Sequence, residues 1–244
     1  MTSQAAERLW SGCKAMGIEL DASQRERFAA FDAHLCQANA AMDLTAVLDP
    51  EEAVDRHYLD SLTVLRRPDW IPQGARIVDV GAGAGFPGIP LLIARPDIQA
   101  TLLDAQRKRV DFLHRVIQAL GLRAQAFHLR AEDAARQTGH RERYDVAVSR
   151  AVAGLPTLLE LTLPLVRVRG CTLAWKGPAA LEEFEAASRA AAMLGGRLCL
   201  PEPAPVPGRD WRHLLIAAEK EIETVRQYPR KAGIPARKPL GILP

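Results

Sequence analysis

Apolar positions along the chain change their rhythm twice. Over the first 70 residues they recur at helical spacing, as in Leu9, Cys13 and Met16, and again in Phe28, Phe31, Leu35 and Ala38. Asp21 or Ser23 can cap the second of these helices, and a third is expected from Pro50 to Leu65. Asp49 suits its N-cap, Pro50 its first turn, and Glu51 and Glu52 the positive end of its dipole. From residue 71 to 225 short apolar runs alternate with helical patterns. The runs Arg76–Val80, Ala100–Leu103, Gln125–His128, Tyr144–Ser149, Cys171–Trp175, Arg197–Leu200 and His213–Ala218 read as strands. Helices fit between them at Ile89–Arg95, Lys108–Leu120, Leu155–Leu165 and Ala179–Leu194. Strands separated by helices predict a mostly parallel sheet with right-handed crossovers. Pro201, Pro203, Pro205, Pro207 and Gly208 stand between the last two strands in place of a helix, which predicts an antiparallel edge hairpin. The expected organisation is an N-terminal helical cap (1–70), an α/β domain on a seven-stranded sheet (71–225) and a Pro-punctuated tail (226–244).

Composition bounds this picture. A chain of 244 residues, 48% hydrophobic and 25% charged, suits one α/β domain with an extension and can bury a core. No run approaches ~18 apolar residues. Residues 1–10 lack the basic-then-apolar pattern of a signal peptide. Cys13, Cys36, Cys171 and Cys199 lie far apart with no C-x-x-C pair, which points to reduced thiols in a cytoplasmic protein. None of the six histidines pairs with a Cys or Asp at metal-ligand spacing, so no metal is expected. The net charge of +3 is unevenly spread. Residues 1–70 hold 7 Lys or Arg against 12 Asp or Glu, whereas the tail holds five cations and no acid.

The segment with most chemistry is Arg76-Ile-Val-Asp-Val-Gly-Ala-Gly-Ala-Gly-Phe-Pro-Gly88. A strand ends, glycines follow and a helix begins. Glycine permits a sharp turn and a close backbone approach to a ligand. Open α/β sheets bind ligands in the crevice beyond such strand ends. Gly83, Gly85 and Gly88 satisfy the dinucleotide G-x-G-x-x-G spacing, and Gly81, Gly83 and Gly85 the tighter G-x-G-x-G of S-adenosylmethionine (AdoMet) enzymes. Asp79 favours the second reading. A carboxylate facing the loop suits the cationic amino-acid end of AdoMet, directly or through water, and would repel a pyrophosphate. Asp104 closes the next strand, where a carboxylate can accept hydrogen bonds from ribose hydroxyls of either cofactor. Ala131-Glu132 follows the third strand and can flank the adenine.

With these residues in view, the chain resembles the RsmG (GidB) methyltransferases. The likeness runs over residues 39–240. It rests on Leu44-Thr45-Ala46, Arg56-His57-Tyr58-Leu59-Asp60-Ser61-Leu62, the Asp79–Pro90 loop and Leu103-Asp104 with Lys108-Arg109 and Phe112-Leu113. It continues through Arg130-Ala131-Glu132, Ser149-Arg150-Ala151-Val152-Ala153, Lys176-Gly177, Pro229–Pro235 and Lys238-Pro239-Leu240. The family usually has Asn-Leu-Thr where this chain has Asp43-Leu44-Thr45, and an Asp can keep a cap or turn role there. The resemblance implies a class I, Rossmann-like AdoMet fold and methylation of guanine N7 in 16S ribosomal RNA of bacteria. By resemblance Gly81, Gly83, Gly85, Phe86, Asp104, Ala131 and Glu132 line the AdoMet pocket, and Arg150 sits at its mouth between cofactor and base.

N7 of guanine carries an in-plane lone pair and no proton, so its methylation needs neither a general base nor a cysteine nucleophile. Proximity and in-line alignment supply much of the rate. Arg150 is the expected positioning residue. The target base must leave its stack to reach a pocket. Arg107, Lys108, Arg109, Lys176, Arg226, Arg230, Lys231, Arg237 and Lys238 are candidates for phosphate contacts. His57 reads either as facing the pocket or RNA, or as packing between helix and core. The expected partner is 16S ribosomal RNA, the small ribosomal subunit or its precursor, approached by a monomer with no membrane attachment. An NAD-dependent oxidoreductase, or an inactive RNA-binding module on the same fold, are the competing readings.

Overall fold

The computed structural model describes residues 1–242, so Leu243 and Pro244 of the tail lie outside the described residues. The described strands are β1 (Arg76–Val80), β2 (Gln99–Asp104), β3 (Ala124–His128), β4 (Tyr144–Arg150), β5 (Val166–Lys176), β6 (Gly196–Leu198), β7 (Glu202–Pro203) and β8 (Leu214–Lys220). They form one sheet in the order β3-β2-β1-β4-β5-β8-β6. β1 to β5 pair in parallel, while β8 runs antiparallel between β5 and β6. The expected seven strands are joined by a two-residue eighth, because the proline-rich loop folds back and pairs Glu202 with Leu215 and Pro203 with Leu214. The order reverses between β1 and β4, which sets the ligand crevice at their carboxyl ends.

Two long helices open the chain, α1 (Ser3–Ala15) and α2 (Ala22–Met42). Asp21, rather than Ser23, caps α2 in a reciprocal box with Gln24. The Gln24 amide also donates to the carbonyls of Ile93 and Ala94, which end the helix α5 (Gly88–Ala94). Asp43 takes the left-handed conformation at the end of α2, a geometry Asn and Asp tolerate. The expected third helix is a composite. A turn of α3 (Pro50–Ala53), capped by Asp49, leads into a π segment (Val54–Leu59), then α4 (Asp60–Leu62) and a 3-10 turn (Thr63–Arg66). The remaining helices are α6 (Arg107–Leu120), α7 (Ala131–Ala134), α8 (Leu155–Thr162), α9 (Phe184–Met193) and α10 (Ile234–Arg237).

Alternation along the strands divides the core. Ile77, Leu102, Val146, Leu173 and Trp175 face the N-terminal helices and share one cluster with Leu9, Phe28, Phe31, Tyr58 and Leu62. On the opposite face Val78, Val80 and Ala147 pack against Ala134 and Leu165, and Ala174, Ile216 and Ala218 against α8 and α9. The N-terminal helices therefore form a layer whose core is continuous with the sheet. No described helix is long and apolar enough to cross a membrane.

Candidate active site

The glycine loop leaves β1 with Gly81, Gly83 and Gly85 all in the left-handed region, at φ +74°, +56° and +98°. Its position is set by Asp104 at the end of β2. That carboxylate accepts from Gly83 N at 2.9 Å and Gln106 N at 2.8 Å, tying two loops together. A Cβ on Gly81 would stand 2.5 Å from Val152 Cγ2, so the loop approaches the segment after β4 as closely as bare backbone allows.

Asp79 does not line the cavity beyond this loop. It is fully buried behind the loop, where Oδ2 accepts from Gly88 N at 2.8 Å and Oδ1 has no partner. This carboxylate occupies the amino end of α5, where a dinucleotide pyrophosphate would have to sit, and so argues against the Gly83-Gly85-Gly88 reading. Burial pushes the Asp79 carboxyl up from 3.8 to about 7, opposed by the Gly88 amide and the Arg150 charge. Between those pH values the folded protein holds a proton that the unfolded chain has released, so Asp79 costs more stability as pH rises from 3.8 to about 7. Asp79→Asn, which cannot ionise, should gain on the parent across that window and match it at more acid pH. Urea unfolding at about pH 4 and about pH 8 checks this, and an equal difference at both would refute it.

A cleft of about 200 Å³ opens beside the loop, lined by Gly81, Asp104, Ala131, Glu132 and Val152 with Gly233 and Pro235 from the tail. Glu132 Oε1 accepts from Gly233 N at 3.1 Å, and Thr157 Oγ1 donates to the Pro235 carbonyl at 3.1 Å. The tail is thus a wall of the cleft. Gly81, Asp104, Ala131 and Glu132 come together here as the sequence suggests. Gly83 and Gly85 shape the loop without lining the cleft, and Gly85 is pressed against Ile89.

Phe86 and Arg150 do not line this cleft. Phe86 is buried under the helical layer, among Phe31, Tyr58 and His57 at ring separations of 5.4, 5.4 and 4.9 Å. Arg150 lies over the Phe86 ring and lines a second cavity of about 250 Å³ with Asp60, Ala151, Trp175, Lys176 and His213. Its Nη1 donates to Asp60 Oδ2 at 2.9 Å and to the Arg56 carbonyl at 2.6 Å. The ring of His57 joins Thr45 Oγ1 at 2.7 Å to Arg150 Nη2 at 3.4 Å. Burial and then the Arg150 charge push His57 down to about 4, so it is a neutral packing link between helix, loop and β4. The loop 151–153 separates the two cavities, Ala151 on one side and Val152 and Ala153 on the other.

The candidate phosphate ligands divide in the same way. Arg107, Lys108, Arg226, Lys231, Arg237 and Lys238 are exposed. Arg109 stands 3.9 Å from Asp104. Lys176 turns inward to the Ala153 carbonyl, and burial lowers its pKa. Arg230 is not a free cation. Its guanidinium and backbone N–H bind the fully buried Glu160 of α8, which anchors the tail. A lone Glu in the apolar run Leu155-Pro-Thr-Leu-Leu-Glu160 was the available signal that a buried cation must exist. Asp60 and His213 were missed as site residues because nothing local links positions 153 residues apart.

Comparison with known proteins identifies the family. The family model described as rRNA small subunit methyltransferase G (GidB) matches residues 24–200. A ribosomal RNA small subunit methyltransferase G of Alkaliphilus metalliredigens is 40% identical over 233 residues, covering 95% of this chain and 97% of the relative. One of Roseiflexus is 42% identical over 235 residues, covering 96% and 99%. Among solved structures, the branched-chain polyamine synthase of Thermus thermophilus superposes with a TM-score of 0.56 at 16% identity, covering 83% of this chain and 67% of that one. The YcgJ protein of Bacillus subtilis gives 0.51 at 14% identity, covering 68% and 100%. These last two likenesses show the fold alone. The sequence matches span nearly the whole chain at 40% identity or above, and the chain belongs to the rRNA small subunit methyltransferase G (GidB) family.

Proposed function

We propose that this AdoMet-dependent methyltransferase of small-subunit ribosomal RNA acts on N7 of one guanine. The observation that carries the proposal is the pair of cavities at the switch point, divided by a single loop. The residues present fit AdoMet. A Cβ at Gly83 would meet nothing nearer than the Gly81 carbonyl oxygen at 3.8 Å, so bare backbone there leaves open space, and Asp104 offers the lone pairs that its two amide bonds leave free for ribose hydroxyls. Ala131 and Glu132 would flank the adenine. The glycine loop would hold the amino-acid end.

Bound AdoMet supplies an electrophilic methyl group. The protein's part is to orient N7 in line with it and exclude water. Arg150 is fixed by Asp60 and the Arg56 carbonyl, so its place at the second cavity is set before substrate arrives. The exposed cations of the tail and of α6 lie on elements next to the cleft, which suits a single-stranded or flipped-out RNA target read by one protomer.

The decisive measurement is mass spectrometry of 16S ribosomal RNA from a strain lacking the gene. N7-methylguanine should be missing and return on complementation. An unchanged modification profile would refute the proposal. Methylation in vitro of naked RNA against small subunits separates the two substrate forms.

A further inference from the structure

We propose that His213, oriented by Asp60, accepts the N1 proton of the target guanine as N7 is methylated, which makes the second cavity the acceptor-base site. This rests on the N7 reading above and adds a proton acceptor to a reaction that does not formally need one.

Asp60 is buried where the second cavity meets the helical layer. Its Oδ1 accepts from His213 Nδ1 at 2.9 Å, its Oδ2 from Arg150 Nη1 at 2.9 Å, and its backbone carbonyl from Trp175 Nε1 at 2.8 Å. A carboxylate oxygen accepts, so the imidazole carries a hydrogen on Nδ1, and in its neutral form it presents Nε2 as a lone pair. His213 is 32% exposed and lines the cavity. A base held by a carboxylate on its far nitrogen is the arrangement used where a histidine must take a proton.

The charge around the cavity says why such an acceptor is useful. Arg150 and Lys176 bring two cations against the single carboxylate of Asp60. On its far side the imidazole stacks on Trp211 at 5.3 Å; Arg56 and Arg209 over that indole are each paired with an acid, Glu52 and Asp55, at 2.6 Å, so the unbalanced charge is that of Arg150 and Lys176. A guanine methylated on N7 is a cation, and this surrounding disfavours it. The N7 lone pair forms the bond to the methyl carbon, and the carbon–sulfur pair leaves with sulfur. The N1 proton passes to His213 Nε2. The methylated base is left neutral overall, and the positive charge rests on an imidazolium paired with Asp60. Adenine has a lone pair instead of a proton at N1 and would set two acceptors face to face, so the same contact selects guanine.

The loop 151–153 gives the required proximity. Val152 packs against the cofactor loop at Gly81, while Ala151 faces the base cavity.

The test uses His213→Asn, which keeps an amide donor toward Asp60 and removes the basic ring nitrogen. Single-turnover methylation of unmethylated small-subunit RNA is followed from about pH 5.5 to about pH 8.5, with AdoMet affinity measured by calorimetry. The variant should be about 10²-fold slower across that range, with unchanged AdoMet affinity. A second arm needs no variant: RNA carrying N1-methylguanine at the target should be a poor substrate for the wild type. A His213→Asn enzyme of full rate, an N1-blocked base methylated normally, or loss of rate that tracks weakened AdoMet binding would each overturn the assignment. Failure of the wild type to methylate small-subunit RNA at all would overturn the proposed function instead.

Discussion

Arg230→Ala should lower stability by about 3–5 kcal/mol, measurable by urea or thermal unfolding with no RNA present. Glu160 is fully buried, and Arg230 meets it with Nε at 2.9 Å, Nη2 at 2.5 Å and its backbone N–H at 2.8 Å. Truncation leaves a buried carboxylate with one amide bond and no countercharge. Adding Glu160→Gln to the variant should restore part of the loss, because a neutral amide is far cheaper to leave under-satisfied than a charge. The same change frees the segment that carries Gly233 and Pro235, so AdoMet affinity should drop as well. A variant that unfolds within about 0.5 kcal/mol of the parent would show that the ion pair is not holding the tail.

Asp104→Ala should weaken AdoMet binding by about 10²-fold or more. Each hydrogen bond to a charged group is worth about 1.5–3 kcal/mol, and this carboxylate makes two, to Gly83 N and Gln106 N. Their loss releases both loops that border the cleft, in addition to the contact to the ribose. Asp104→Asn retains one acceptor oxygen, so it should fall between the parent and the alanine variant. Calorimetric titration with AdoMet reads this directly. An alanine variant that binds within a few-fold of the parent would show that the loop is held by other contacts.

Much of the sheet was readable from apolar rhythm alone. β1 begins and ends where the pattern places it, and β2 to β4 shift by a residue at either end. The glycine loop was equally plain, because turn and close approach are local demands. Other features depended on distant partners. The π segment at Val54–Leu59 keeps helical periodicity over too few residues to betray the wider turn. The β7 strand is two residues of a proline-rich loop, paired only because β8 passes beside them. Arg230 looked like its neighbours Lys231 and Arg237, because charge along a sequence does not show which cation meets a buried acid. Phe86 follows a cofactor loop in sequence, yet its ring fills the space that Phe31, Tyr58 and His57 leave under the helical layer.

The continuity of core between that layer and the sheet has a consequence in time. Leu9, Phe28, Phe31 and Leu62 share a cluster with strand residues as late in the chain as Leu173 and Trp175. At a synthesis rate of about 5–20 residues per second, the helices wait about 5–20 s for the surface that covers them. Nascent chains on neighbouring ribosomes expose this face together. The 12 Asp or Glu against 7 Lys or Arg in residues 1–70 give those waiting segments a common negative charge. Mutual repulsion then keeps them apart until the sheet arrives.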